Sequence, residues 1–97
     1  MSTRACITFK DDNGSEFAVY KHCDGYPDGE NGIHAQIAKA EKYAWPLPRF
    51  EADDFGAAFV RATKEGAGYV RLSHGAKSHG DLAYEYVVTC ENGELKI

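Results

Sequence analysis

No Cys-x-x-Cys pair occurs in this chain, and its three cysteines, Cys6, Cys23 and Cys90, stand far apart. An odd, scattered set excludes the paired spacing of structural zinc sites and points to reduced thiols in a cytosol. No apolar run approaches the ~20 residues that a bilayer span requires. The first residues, Met1 to Cys6, hold no long apolar segment, so no signal peptide is expected. Lysine and arginine form no stripe, which speaks against a direct grip on nucleic acid, where phosphates must be neutralised. Gly25-x-x-x-Gly29 precedes a helix but lacks the Lys-Ser/Thr of a phosphate loop, and Asp24 and Asp28 would repel a phosphate. There is no internal repeat and no low-complexity tract.

What is present suffices for one small core. The chain has 97 residues, 43% of them hydrophobic, with six Tyr, five Phe and one Trp. That length and composition predict a single domain over residues 1–97. Net charge is −4, unevenly spread: positions 11–54 hold ten acids and four bases. Positions 55–80 reverse the balance, with one acid and four bases. An acidic stretch of this kind suits a basic partner surface, since complementary fields speed encounter and select partners.

Periodicity sets the order of elements. In residues 3–10, Ala5, Ile7 and Phe9 share one face, the pattern of a half-buried strand. Asp11-Asp12-Asn13-Gly14 then predicts a hairpin turn, with Asn13 and Gly14 both tolerant of positive φ. Residues 16–23 alternate again. After the Asp-Gly-Tyr-Pro loop, Asn31 can cap a helix whose stripe is Ile33, Ile37, Ala40 and Tyr43 or Ala44 and which Pro46 stops. Trp45-Pro46-Leu47-Pro48-Arg49-Phe50 reads as an extended connector whose rings pack on the core. A second helix starts near Ala52-Asp53-Asp54, where carboxylates suit the positive helix end, and stops at Gly66 or Gly68. Tyr69 to Ser73 and Leu82 to Cys90 are strands, and a second Asn-Gly turn, Asn92-Gly93, leads to a short pairing of Leu95 to Ile97. The expected fold is α+β: an antiparallel sheet of four to five strands with two helices on one face, in the order β-β-α-α-β-β with a terminal β.

The chemistry-bearing segment is His22-Cys23-Asp24-Gly25-Tyr26-Pro27-Asp28-Gly29. As a metal site it is poor: the candidate ligands are adjacent, and on a strand His22 and Cys23 point to opposite faces. Cys23 with His74 or His79 could form a nucleophile pair, but a thiolate needs an electropositive pocket, and Asp24, Asp28 and Glu30 surround Cys23. As structure it is coherent. Asp24 and Asp28 accept backbone N–H groups, Gly25 and Gly29 take positive φ, Pro27 fixes a bend and Tyr26 plugs the loop onto the core. Tyr84 and Tyr86 on one strand, with Tyr69 and Arg71 on a neighbouring one, could alternatively stack bases.

His22-Cys23-Asp24-Gly25-Tyr26-Pro27 resembles an H-x-D-G-Y-P motif of small phage and prophage accessory proteins. The resemblance extends to Tyr43-Ala44-Trp45-Pro46-Leu47-Pro48-Arg49-Phe50, to His79-Gly80-Asp81 and to Tyr84-Glu85-Tyr86. It implies no established chemistry. Genes of this size and setting often encode inhibitors of host defence, including anti-CRISPR proteins, which is association by setting rather than by site. The expectation is a non-enzymatic protein of the bacterial host cytosol, a monomer or small homo-oligomer without metal or cofactor. Its partner would be a host protein complex, such as CRISPR effector subunits, with no membrane and no direct nucleic-acid contact. The expected contacts are Asp11, Asp12, Asp24, Asp28, Glu30, Asp53 and Asp54, with Tyr26 or Trp45 as aromatic anchor. The alternatives are a Cys/His enzyme or metal binder centred on Cys23, His22, His74 and His79, and a nucleic-acid-binding module.

Overall fold

In a computed structural model that describes residues 3–65 and 69–97, the chain forms five strands and two helices. They are β1 (Ala5–Lys10), β2 (Glu16–Lys21), α1 (Ile33–Ala40), α2 (Ala52–Thr63), β3 (Val70–Ser73), β4 (Tyr84–Glu91) and β5 (Glu94–Lys96). A short 3-10 turn, Ala76–Ser78, lies between β3 and β4. The fold is α+β in the expected order, but the sheet is mixed rather than purely antiparallel. Its order is β3-β2-β1-β4-β5, and β4 runs parallel to central β1, with Ile7 opposite Tyr86 and Phe9 opposite Val88. The two flanking hairpins therefore do not simply abut: the chain leaves one edge at β3 and crosses over β2 and β1 to reach β4. Sequence periodicity reports which face of a strand is apolar and is silent on which strand it joins.

One sheet face carries the core. Ala5, Ile7, Phe9, Val19, Val70, Tyr86 and Val88 pack against Ile33 and Ile37 of α1 and Phe55 and Phe59 of α2. Phe9 lies at its centre, with ring centroids 5.7 Å from Phe55 and 5.5 Å from Phe59. Each such fully buried side chain contributes roughly 1.5–3 kcal/mol by leaving water. The opposite face is crossed by the β3–β4 connection. There His79 stacks on Tyr20 at 4.3 Å, and its Nε2 shares a 2.8 Å hydrogen bond with Ser73 Oγ.

Several local expectations change. The Asp11 to Ser15 turn is not a two-residue Asn-Gly hairpin. Only Gly14 takes positive φ (86°), and Asp11 Oδ1 accepts the Asn13 and Ser15 amides, closing a wider five-residue loop between Lys10 and Glu16. The Asn92-Gly93 turn behaves as expected, with both residues at positive φ. Helix α1 has Gly32, not Asn31, at its N-cap, and no side chain caps it. It ends at Ala40, well short of Pro46, and tightens into i+3 bonds at Lys42 and Tyr43, where Glu41, Lys42 and Tyr43 face solvent and offer no apolar side to bury. In the connector Phe50 packs on the core, 5.4 Å from Phe55, but Trp45 stays exposed. Gly66 and Gly68, expected to end the second helix, lie outside the described residues; α2 itself ends at Thr63.

Candidate protein-interaction surface

The nine residues expected to make contacts divide between the two ends of the sheet. Asp11 and Asp12 lie in the β1–β2 turn; Asp24, Tyr26, Asp28 and Glu30 lie beyond the far end of β2. A six-residue strand separates them, roughly 20 Å at about 3.3 Å per residue. The expected acidic contacts therefore fall in two groups, one at each end of the sheet.

At the turn end, the structure joins three segments distant in sequence. Asp11 Oδ2 accepts the Ala52 N–H at 2.8 Å, capping α2 from 41 positions away, while its other oxygen holds its own turn. These backbone donors, the Ala52 N–H foremost, hold the Asp11 carboxyl below the usual carboxylate range. Asp54 Oδ2 accepts the Trp45 N–H at 2.9 Å, which ties the connector to the first turn of α2. Asp53 Oδ1 accepts the Asp54 N–H at 2.7 Å. Asp12 and Asp53 face solvent, and so does Trp45, whose ring is covered on one side by Arg49, 3.5 Å above its centroid. Arg49 is in turn paired with Glu51 at 3.0 Å. Asp11 and Asp54 are thus committed to the fold, and Asp12, Asp53 and Trp45 are presented outward.

Asp11→Asn should therefore lower the melting temperature by about 5 °C at pH 7, against little change for Asp12→Asn. The lowered folded-state pKa means that the Asp11 contribution is present above the unfolded carboxylate pKa and is lost as pH falls through the folded one. Thermal melts of both variants from pH 7 down to pH 3 check this; equal Tm for Asp11→Asn and wild type at neutral pH would refute it.

The opposite end is the Cys23 to Gly29 loop, which works as a scaffold. Ile33 N–H donates to Tyr26 C=O at 2.9 Å and His34 N–H to Pro27 C=O at 3.1 Å, so loop carbonyls satisfy the open amides of α1 that a side-chain cap was expected to meet. Asp24, rather than Gly25, adopts positive φ (57°), and its carboxylate accepts the Tyr26 hydroxyl at 3.2 Å. Gly25 is needed for a different reason: its backbone lies against β1, its N–H donates to Thr3 C=O at 2.9 Å, and its carbonyl accepts the Tyr86 hydroxyl at 2.7 Å. Gly29 takes the expected positive φ, 96°. Asp28 and Glu30 remain exposed.

Sequence reasoning missed the group at the centre of this end. Lys21 is fully buried, and its Nζ donates to Asn31 C=O at 2.8 Å and to Gln36 Oε1 at 2.5 Å. Burial pushes its pKa down to about 8, opposed by the nearby Asp24 and Cys23. In sequence Lys21 looks like any solvated strand lysine. The one available signal was its place in the alternation with Phe17 and Val19 on the core-facing side.

Two of the histidine candidates, His22 and His79, meet at Tyr20. His22 Nδ1 meets the Tyr20 hydroxyl at 3.1 Å, and His79 is engaged with Tyr20 and Ser73. The Ser73 hydroxyl also accepts the Gly75 N–H at 3.0 Å, a turn-closing bond that fixes the start of the crossover. Cys6 is buried, and burial raises its thiol pKa, away from thiolate character. Among the described residues no group of three or more His, Cys, Asp and Glu converges as metal ligands. The proposed base-stacking face also separates: β3 and β4 are not neighbours, and Arg71 lies over Tyr20 on the crossover face, whereas Tyr86 belongs to the core side. Among the described residues no helix is long and apolar enough to cross a membrane.

No family model, curated protein or solved structure matches the chain.

Proposed function

We propose that this is a non-enzymatic binding protein whose acidic end engages a basic surface of a protein complex, in the manner of an anti-CRISPR inhibitor. One observation carries the reading: exposed Asp12, Asp53 and Trp45 lie on three segments that the Asp11–Ala52 and Asp54–Trp45 hydrogen bonds tie to the start of α2. Exposed carboxylates and an exposed aromatic at the start of α2 suit a lysine- and arginine-lined nucleic-acid channel. The acids steer the encounter, and the ring supplies desolvated area at the centre. The motif resemblance to phage and prophage proteins supplies the host-defence target class, and the bacterial cytosol is the compartment that goes with it.

The test is co-purification with CRISPR effector complexes of bacterial hosts, followed by competition against guide RNA and target DNA. Asp12→Lys with Trp45→Ala should weaken capture by roughly a hundredfold, with the fold intact because neither side chain is buried. Capture should also decline as salt is raised. Binding to no effector, or capture unchanged by the double substitution, would defeat the proposal.

A further inference from the structure

Trp45 is the one tryptophan of the chain, and its exposed ring already carries a cation. The turn that follows is closed by the Arg49 N–H, which donates to Pro46 C=O at 3.2 Å and folds residue 49 back toward the ring. The Arg49 guanidinium carbon lies 3.5 Å from the ring centroid, and Arg49 Nε donates to Glu51 Oε2 at 3.0 Å. A flat cation is thus held by an aromatic face and a carboxylate, two contacts that suit a guanidinium better than an ammonium. Both contacts are made in water: the Arg49 side chain is 57% exposed and that of Glu51 38%. Exposed ion pairs and exposed cation–π contacts each add little stability, so a rival guanidinium can displace Arg49 at small cost.

We propose that Trp45 and Glu51 form a receptor for one arginine of the protein partner, and that Arg49 fills it in the free protein as an internal stand-in. Charge selects the same occupant. When Arg49 swings into water, the Glu51 carboxylate loses its cation, and Asp54, whose Oδ2 accepts the Trp45 N–H, adds a second negative charge. Positive charge returns at Tyr43, which carries Arg61 at 4.3 Å. A lysine of the partner would answer the charge but has no planar face to lay on the indole. In the exchange the incoming guanidinium takes over the ring and the Glu51 bond, and Arg49 is solvated. Arg49 therefore lowers the apparent affinity in proportion to the time it spends in the receptor. The inference rests on the reading above, because the arginine would belong to the same basic partner.

The experiment follows Trp45 fluorescence while capped, glycine-spaced arginine peptides and their lysine counterparts are titrated into the purified protein. Arg49→Gln removes the stand-in and keeps Glu51; an unchanged Tm verifies the fold. This variant should bind the arginine peptide at least about tenfold tighter than wild type. Adding Glu51→Gln should remove most of that gain, and the lysine peptide should bind Arg49→Gln at least about fivefold more weakly. Arg61→Gln makes the same change of net charge at Tyr43 and should stay within about twofold of wild type. Arginine-peptide binding that Arg49→Gln leaves unchanged, weakens or never brings into range overturns the proposal. So does an equal gain from Arg61→Gln, or a lysine peptide that binds as well. A concentration-dependent dimer that Trp45→Ala dissolves also overturns it, by making a second copy the occupant. Capture of effector complexes separates this proposal from the reading above, and Arg49→Gln should raise that capture. Capture that Trp45→Ala weakens and Arg49→Gln does not raise overturns the receptor and leaves the acidic end standing. The expected peptide binding with no effector captured supports the receptor and counts against that reading.

Discussion

Gly25→Ala is expected to destabilise the protein by on the order of 3 kcal/mol, the scale of an overpacked core. A Cβ at this position would lie 2.6 Å from Ala5 Cβ and 2.7 Å from Thr3 O, and one of those neighbours is backbone. The strand start cannot retreat, because it is held in the sheet between β2 and β4. The loop cannot retreat without breaking the Gly25 bonds to Thr3 and Tyr86 and, with them, the carbonyls that cap α1. Gly80→Ala is the matched control: its Cβ meets nothing within 4 Å, so the change should stay within about 0.5 kcal/mol. Urea titrations of the two variants decide the point, and equal midpoints would refute it. The outcome bears on function, since it measures how far the motif loop serves the fold rather than a ligand.

The difference in stability between wild type and Lys21→Met should grow in favour of wild type by on the order of 2 kcal/mol between pH 7 and pH 10. The folded-state pKa of Lys21 is pushed down to about 8, below its unfolded value. Through this window the unfolded chain therefore holds a proton that the folded chain has released, and stability rises with pH. At neutral pH the ammonium is retained against the cost of burial by two neutral oxygens, Asn31 C=O and Gln36 Oε1. Two other groups work in the opposite direction. Burial raises the Cys6 thiol and pushes Tyr86 up to about 12, so each keeps a proton that the unfolded chain loses, and both weaken the fold as pH climbs. Taking the difference between the two proteins removes those shared contributions. Denaturant curves for both at pH 7, 8, 9 and 10 provide the measurement; a flat difference would show that Lys21 titrates as an exposed lysine.

The parts of this protein that were legible in sequence are those governed by neighbours along the chain. Ala5, Ile7 and Phe9 alternate, and they are buried in the core. Phe55, Ala58 and Phe59 recur at helical spacing, and they face the sheet from α2. Asn92-Gly93 turns because positive φ is cheap there. The candidate site was legible only as a list of acids. Nothing local distinguishes Asp11, which caps a helix 41 residues away, from Asp12, which faces solvent.

Composition and periodicity by themselves determined the α+β class, the element order and the acidic bias of residues 11–54. Tertiary structure alone decided the parallel β1–β4 pairing, the crossover over the free face, the burial of Lys21 and the separation of the acids into two ends. The reason is physical. Side-chain period and turn preference act over a few residues, whereas strand partnership, long-range capping and desolvation depend on what the folded chain brings alongside.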